Sequence, residues 1–166
     1  MIEYLTQQQL EELKARTKAP RDRLLIQTQY ETGCTVSELV NIKREDINKH
    51  SIHVAERECR VSKQLIEELS RYLQRHQSPY VFASRQNQQL TTKRVQQIIK
   101  ALVKKVDKQI QKTTPHLLRY THIVHAAKQH IPLPAIMRQT GLAEQRLSQI
   151  LSQALDDEEG YERLFA

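Results

Sequence analysis

The chain has 166 residues, a length that fits one domain able to bury roughly two thirds of the surface that its unfolded form exposes. Its net charge is +7 and its pI is about 9.5, so it attracts polyanions before any specific contact forms, although a lysine-rich surface alone would give the same charge. No stretch is apolar over the length of a bilayer and no signal-peptide pattern opens the chain, which predicts an intracellular protein with no membrane partner.

The first half of the chain carries three helix signals followed by one β signal. The helix signals are a capping box of Thr6 with Gln9, a helical pattern over 21–30 that stops at Gly33, and a capping box of Thr35 with Glu38. Residues 51–55 and 59–62 alternate in character around a short polar turn, which predicts an antiparallel hairpin.

The second half is predicted to be helical. Residues 64–75 and 91–106 keep the apolar spacing of helices with one buried face. Thr114 is predicted to cap the next helix, with Pro115 at its first position. Two last helices are predicted over 135–139 and 143–155. No linker divides the chain, so we expect one mainly α domain with a small antiparallel β-hairpin.

A histidine and an arginine lie together at the start of the helix after Thr114. His116 and Arg119 are three residues apart, so they share one helix face. A guanidinium beside an imidazole at a helix N-terminus is a good receptor for one phosphate. The two residues could instead only cap and cover the helix, with Arg119 paired to Glu31 or Glu38.

Several segments, in order, resemble the catalytic domain of tyrosine recombinases, also called phage-type integrases. They are residues 30–39 (Y-x-T-G-L-R-I-S-E-L in the family), 45–47, 81–84, the helix from Thr91, 116–119 (H-x-L-R) and 139–142 (L-L-G-H). No segment is decisive alone, but the ordered set covers almost the whole chain. The resemblance implies the DNA breaking-rejoining fold in a single domain over 1–166, without the family's N-terminal core-binding domain.

In that family a tyrosine hydroxyl cuts the DNA strand and forms a 3′-phosphotyrosyl link. Two arginines and two histidine-type groups stabilise the phosphate, and a hairpin lysine protonates the departing 5′ oxygen. The resemblance assigns the second arginine and its histidine to Arg119 and His116. The first arginine falls at Thr35, the later histidine at Leu142 and the nucleophile at Leu151. It therefore implies a phosphate pocket with one guanidinium, no intact catalytic set and no group able to attack.

Two other tyrosines are weighed as nucleophiles. Tyr161 follows the acidic run over 156–159, whose negative field opposes a phosphodiester. Tyr120 is expected to point to a different face of the helix from Arg119. Neither is expected to replace the missing nucleophile.

The basic residues predict an interface with duplex DNA, the alternative being a solvated surface. The predicted contacts are Arg57, Arg60, Lys63, Lys93, Arg94, Lys100, Lys104, Arg119 and Arg146, and the lysine run continues through Lys105, Lys108 and Lys112. The hairpin lysine of the family has no firm counterpart among Arg57, Arg60 and Lys63. His122, His125 and His130 have a poor metal spacing, and Cys34 and Cys59 are predicted to be reduced structural thiols. We expect no metal, cofactor or small-molecule substrate.

Three functions stay open at this stage. The first is a nucleoid-associated, cytoplasmic DNA-binding protein that cannot cleave strands and acts as an accessory or regulatory factor for recombination or a mobile element, with an active recombinase as a further partner. The second is an active integrase with displaced or trans-supplied catalytic groups, since family members exchange a C-terminal helix, here 156–166, between protomers. The third is a helix-turn-helix regulator over 136–150, which would read bases with Glu144, Gln145, Arg146 and Gln149.

Overall fold

The computed structural model describes residues 2–107 and 114–155, which form eight α-helices and one β-hairpin. The helices are α1 (Gln7–Arg16), α2 (Pro20–Thr32), α3 (Val36–Val40), α4 (Lys63–Leu73), α5 (Thr92–Val106), α6 (Leu117–Lys128), α7 (Leu133–Thr140) and α8 (Glu144–Ala154). A 3₁₀ turn over Arg44–Asp46 precedes the hairpin strands β1 (Ser51–Val54) and β2 (Arg57–Arg60). The predicted mainly α fold with a small antiparallel sheet is confirmed.

Local sequence signals set most of the helix starts in the first half. The capping boxes of Thr6 with Gln9 and of Thr35 with Glu38 both form in full, with each side chain bonded to the other residue's backbone. Gly33 ends α2 in the left-handed conformation, at φ 68°. These boundaries place the ends of α2 and α3 next to each other.

The hairpin differs from its prediction by two residues. Val54 pairs with Arg57, and Ala55 and Glu56 form the two-residue turn with φ of 45° and 66°. Such a turn normally selects glycine, asparagine or aspartate, so the sequence carries no signal for it, and the second strand was wrongly predicted at 59–62. As a result Arg57 lies in a strand rather than in the turn.

The start of α6 also differs from its prediction. Thr114 does not cap the helix; its carbonyl accepts a hydrogen bond from the Leu117 N–H at 3.1 Å, which closes a turn. Pro115 takes the second position of that turn, where its fixed φ is favoured. His116 therefore becomes the N-cap, without a side-chain cap bond, and Arg119 is the third residue of α6.

Two apolar clusters form the core, and α6 links them. Leu117 and Leu118 belong to the first cluster, which holds buried residues of α1 to α5 and of the hairpin. Ile123 and Ala127 belong to the second, with buried residues of α7 and α8. The first turn of α6, which carries Arg119, thus packs on the first cluster, and the later turns pack on the second.

Several predicted features lie outside the described residues. They are Lys108, Lys112, the acidic run over 156–159, Tyr161 and the C-terminal segment 156–166. None of the described helices combines the length and the hydrophobicity that a bilayer crossing requires.

Candidate nucleic-acid phosphate site

Arg119 is the buried centre of the site, with 8% of its surface exposed. Its Nη1 donates to the Gly33 carbonyl at 3.0 Å, and the same nitrogen lies 3.8 Å from Glu38 Oε1. Burial lowers the pKa of Arg119 below its ordinary value. The guanidinium is thus held between the end of α2 and the start of α3, near one carboxylate.

Glu38 is the carboxylate at the centre of this arrangement. It accepts two hydrogen bonds from Arg57, Nη1 to Oε2 at 2.8 Å and Nη2 to Oε1 at 3.0 Å, and one from the Thr35 backbone N–H at 3.0 Å. Burial alone would raise the pKa of the Glu38 carboxyl, but the hydrogen bonds from Arg57 and Thr35 outweigh it and hold that pKa below its usual range. Glu38 is therefore ionised and bridges two arginines.

Arg57 overturns the expectation of a pocket with a single guanidinium. The shifted hairpin register places it at the start of β2, and from there its side chain reaches Glu38 and donates through Nε to the Gln139 carbonyl at 3.2 Å. The hydrogen bonds to Glu38 raise the pKa of Arg57 above its ordinary value. The sequence placed Arg57 among surface contacts to DNA; the structure places it beside Arg119, and direct DNA contact by Arg57 remains a prediction.

Gly141, which ends α7, makes room for the Arg57 guanidinium. A Cβ built at position 141 would lie 2.8 Å from Arg57 Nη1, and the backbone has φ 74°. A side chain at this position would therefore strain the backbone and push the guanidinium away from Glu38.

Gln139 fixes the hairpin against α7, a role that sequence reasoning missed. Its side-chain amide donates to the Arg60 carbonyl at 2.6 Å and to the Glu31 carbonyl at 2.9 Å, while its oxygen accepts from the Arg60 N–H at 2.9 Å. The amide thus pairs with both backbone groups of Arg60 as a neighbouring strand would. The hairpin is anchored independently of the Arg57–Glu38 ion pair.

His116 is the N-cap residue of α6, three positions before Arg119. Burial lowers its pKa below the usual 6.5, and the nearby charges of Arg119 and Arg146 lower it further. Its ring centroid is 5.6 Å from that of Tyr120. His116 is thus a neutral imidazole at pH 7, next to two cationic groups.

His122 supports the site from behind. Its Nδ1–H donates to the Tyr30 carbonyl at 2.7 Å, and a Cβ built on Gly33 would lie only 2.5 Å from the His122 ring. Burial lowers the pKa of His122 to about 4. The absent side chain at position 33 lets this ring pack against the end of α2, where the Gly33 carbonyl binds Arg119. From the sequence, His122 was considered only as a poor metal ligand.

The three positions that differ from the family motifs have structural roles here. Thr35 caps α3, accepting from the Glu38 N–H at 3.1 Å. Leu142 is half-buried and packs on the second apolar cluster. Leu151 is fully buried in that cluster, with 0% exposure. The position that the resemblance aligns with the nucleophile thus carries an alkyl side chain inside the core.

The remaining predicted DNA contacts are exposed, and three of them line two different grooves. Lys93 and Lys100 line a groove of about 320 Å³ together with Thr114 and Pro115, directly before His116. Arg94 lines a different groove, next to the start of α2. The other exposed members of the set are Arg60, Lys63, Lys104 and Arg146.

The segment considered as a helix-turn-helix has the expected burial. Leu147 and Ile150 are buried, while Glu144, Gln145, Arg146 and Gln149 are exposed. The same pattern suits the late helices of a recombinase domain, and base reading by α8 remains a prediction. Within 2–107 and 114–155, no cluster of three or more histidine, cysteine or acidic residues could hold a metal ion.

The chain has relatives among known proteins. Residues 3–155 match the sequence model of the Phage integrase family. The tyrosine recombinase XerA of Pyrococcus furiosus is 34% identical over 143 residues, which cover 78% of this chain and 49% of that protein. The chain spans about half the length of the curated relatives it matches.

Solved structures share the fold. The crystal structure of XerA recombinase gives a TM-score of 0.83 at 24% identity, covering 99% of this chain and 62% of that one. XerH site-specific recombinase, bound to its difH substrate in a pre-cleavage complex, gives a TM-score of 0.77 at 18% identity, covering 92% and 50%. The expected tyrosine-recombinase catalytic-domain fold is thereby confirmed.

Proposed function

The chain belongs to the phage integrase family of tyrosine recombinases, and we propose that it binds duplex DNA through a backbone phosphate at Arg119 without cutting the strand. In this role it is an accessory or regulatory factor for DNA recombination or a mobile element, associated with the nucleoid. Similarity to a recombinase held in a complex with its DNA substrate supports the partner.

The observation that carries the proposal is the Arg119 site itself. Two guanidiniums meet at one carboxylate, so the local charge stays positive, and the neutral His116 beside them can donate a hydrogen bond. Such groups hold a phosphate oxygen and fix the register of a protein on DNA, and neither action needs a nucleophile. The buried Leu151 supports the absence of cleavage.

A salt titration tests the binding. We expect a labelled duplex of random sequence to bind at low salt, with an affinity that falls linearly with salt on logarithmic axes, by a slope of roughly 0.9 for each phosphate contacted. Arg119→Gln is expected to lower that slope by about one contact. Its control is Arg23→Gln, which also removes one positive charge. Arg23 is exposed and lies near the start of α2, at the other end of that helix from Gly33. A wild-type protein that binds no duplex at low salt would rule out the proposal.

A nicked suicide substrate tests the absence of cleavage. The nick lets the short fragment that carries the released 5′ hydroxyl diffuse away, so the strand cannot be rejoined. Any attack by a tyrosine then leaves a covalent protein–DNA adduct that survives denaturing electrophoresis. We expect the wild-type chain to bind this substrate and form no adduct. An adduct would contradict the proposal and show that another group attacks.

Tyr120 gives a second candidate function, strand cleavage by a displaced nucleophile. The contact between the Tyr120 and His116 rings places this phenol at the edge of the site, closer than the sequence implied. If it attacks, the suicide substrate traps an adduct with the wild-type chain that Tyr120→Phe abolishes. An adduct that persists in Tyr120→Phe would exclude this tyrosine.

The accessory role has its own test. Added to a recombination reaction run by an active recombinase of this family, the wild-type chain is expected to change the yield, whereas Arg119→Gln is not. Equal effects of the two proteins would show that any influence on recombination does not depend on the phosphate site.

A further inference from the structure

We propose that Arg57 supplies, from the hairpin, the second phosphate-binding guanidinium that the recombinase resemblance places at position 35. The inference rests on the proposed function, since it concerns the same bound phosphate. Arg57 acts here as a binding and positioning residue.

The geometry that supports it converges on one atom. Arg57 Nη2 lies 3.0 Å and Arg119 Nη1 lies 3.8 Å from the same oxygen, Glu38 Oε1. The two guanidiniums therefore flank a single point although they come from different elements. Thr35 also bonds to this oxygen, but only through its backbone N–H. The carboxylate three residues after the family's first arginine position is thus paired here with an arginine from elsewhere in the chain.

Arg57 keeps donors for a further ligand. A guanidinium carries five N–H groups, and three of those on Arg57 are used by Glu38 and the Gln139 carbonyl. Within residues 2–107 and 114–155, the other N–H on each Nη makes no hydrogen bond to an oxygen or a nitrogen, and the side chain keeps 16% exposure against 9% for Arg119. The more accessible of the two guanidiniums is therefore the one from the hairpin.

A purely structural role would be to hold the hairpin in place. The hairpin already has such an anchor, because Gln139 bonds to both backbone groups of Arg60 and its carbonyl accepts from the Cys59 thiol at 3.3 Å. The absence of a side chain at Gly141 also leaves room for the Arg57 guanidinium, because a Cβ there would lie 2.8 Å from Arg57 Nη1. The bidentate ion pair with Glu38 adds to this anchor and holds the Arg57 guanidinium in one orientation, which suits a phosphate ligand.

The test compares Arg57→Gln, Arg57→Lys and Arg23→Gln in the salt titration described above. If Arg57 contacts phosphate, Arg57→Gln lowers the slope by roughly 0.9 and weakens binding about tenfold or more, whereas Arg23→Gln leaves the slope unchanged. Arg57→Lys keeps the charge but not the bidentate geometry, so it keeps the slope and loses affinity. A slope for Arg57→Gln equal to that of Arg23→Gln would overturn the inference and leave Arg57 with only a structural role, the ion pair that holds the hairpin to Glu38.

A relocation variant guards against misfolding of the single variants. Thr35→Arg combined with Arg57→Gln returns the guanidinium to the position that the resemblance assigns to it. We expect this double variant to recover the slope lost in Arg57→Gln. A folded double variant with no recovery counts against the inference.

Inorganic phosphate separates failure of this inference from failure of the proposed function. In ¹H–¹⁵N spectra of the wild-type chain, the Nε–H signals of Arg57 and Arg119 are expected to shift together as phosphate is added, with one apparent dissociation constant. Movement of the Arg119 signal alone would refute the role of Arg57 and leave the Arg119 site intact. Joint movement without duplex binding would instead support the pair and reject the proposed function.

Discussion

Replacing Glu38 with glutamine is expected to make the protein less stable and a stronger DNA binder at once. The change keeps the size of the side chain and removes the negative charge that Arg57 and Arg119 share. The side chains concerned are mostly buried, with 21% exposure for Glu38, 16% for Arg57 and 9% for Arg119. Water therefore screens the remaining repulsion between the two guanidiniums only in part.

The magnitude follows from the bonds lost. Removing one partner of a fully buried ion pair costs about 3–5 kcal/mol, and an exposed pair is worth about 0–1 kcal/mol. Glutamine keeps one oxygen that can accept from Arg57, so we expect a loss of about 2 kcal/mol in the free energy of unfolding. For a chain of this size that loss corresponds to a fall in Tm of roughly 4–8 °C.

Urea unfolding followed by circular dichroism, together with the duplex titration, measures both effects. The control is Glu67→Gln, which removes the same charge from an exposed side chain. The ion pair of Glu67 with Lys63 is long, with 3.9 Å between Lys63 Nζ and Glu67 Oε1. We expect Glu38→Gln to have a lower urea midpoint at constant slope and a tighter duplex complex than Glu67→Gln. Equal midpoints for the two variants would refute the view that Glu38 holds the arginines together. Weaker DNA binding would show that the orientation that Glu38 gives to the two arginines contributes more to phosphate binding than the removal of its negative charge.

Three further predictions concern the surroundings of the site. Gly33→Ala should lower the free energy of unfolding by about 2–3 kcal/mol, because φ is 68° and the new Cβ would lie 2.5 Å from the His122 ring. Adding His122→Ala should recover part of the loss. A Gly33→Ala variant as stable as the wild type would contradict this packing. The free energy of unfolding should fall by about 3 kcal/mol as the pH drops from 6.5 to about 4. The folded-state pKa of His122 is lowered to about 4, so the folded chain binds fewer protons than the unfolded one in this range, and the stabilising term is fully present above pH 6.5. His122→Asn should flatten the urea midpoints measured across that range, and an unchanged pH dependence would argue against this origin. Leu151→Tyr should cost about 1–3 kcal/mol by overfilling a fully buried position and should give no adduct on the suicide substrate, whereas an adduct would mean that this position faces the phosphate site.

The sequence predicted those parts of the site that depend on near neighbours. The Thr35–Glu38 capping box spans three residues, and His116 and Arg119 share a helix face by spacing alone, so both pairs were visible without a structure. The second function of Glu38, as the shared partner of two arginines, needs contacts from distant segments.

The hairpin shows why the rest was missed. Its turn places Ala55 and Glu56 at positive φ, which no residue preference announces, and the two-residue shift moved Arg57 from the turn into a strand. Arg57 meets Glu38 across 19 positions of the chain, and Gln139 meets Arg60 across 79. Such pairings depend on how helices dock, which a pattern within one segment does not encode. The start of α6 was misplaced for a local reason, because Pro115 suits a turn as well as a first helical turn.

The attachment of Gln139 to Arg60 bears on how the chain would meet its ligand. A β-ribbon that is tied to the body of the domain on both backbone groups loses little conformational entropy when a duplex arrives, so less of the contact energy is spent on ordering it. The same tie limits how far the ribbon can move relative to the body of the domain.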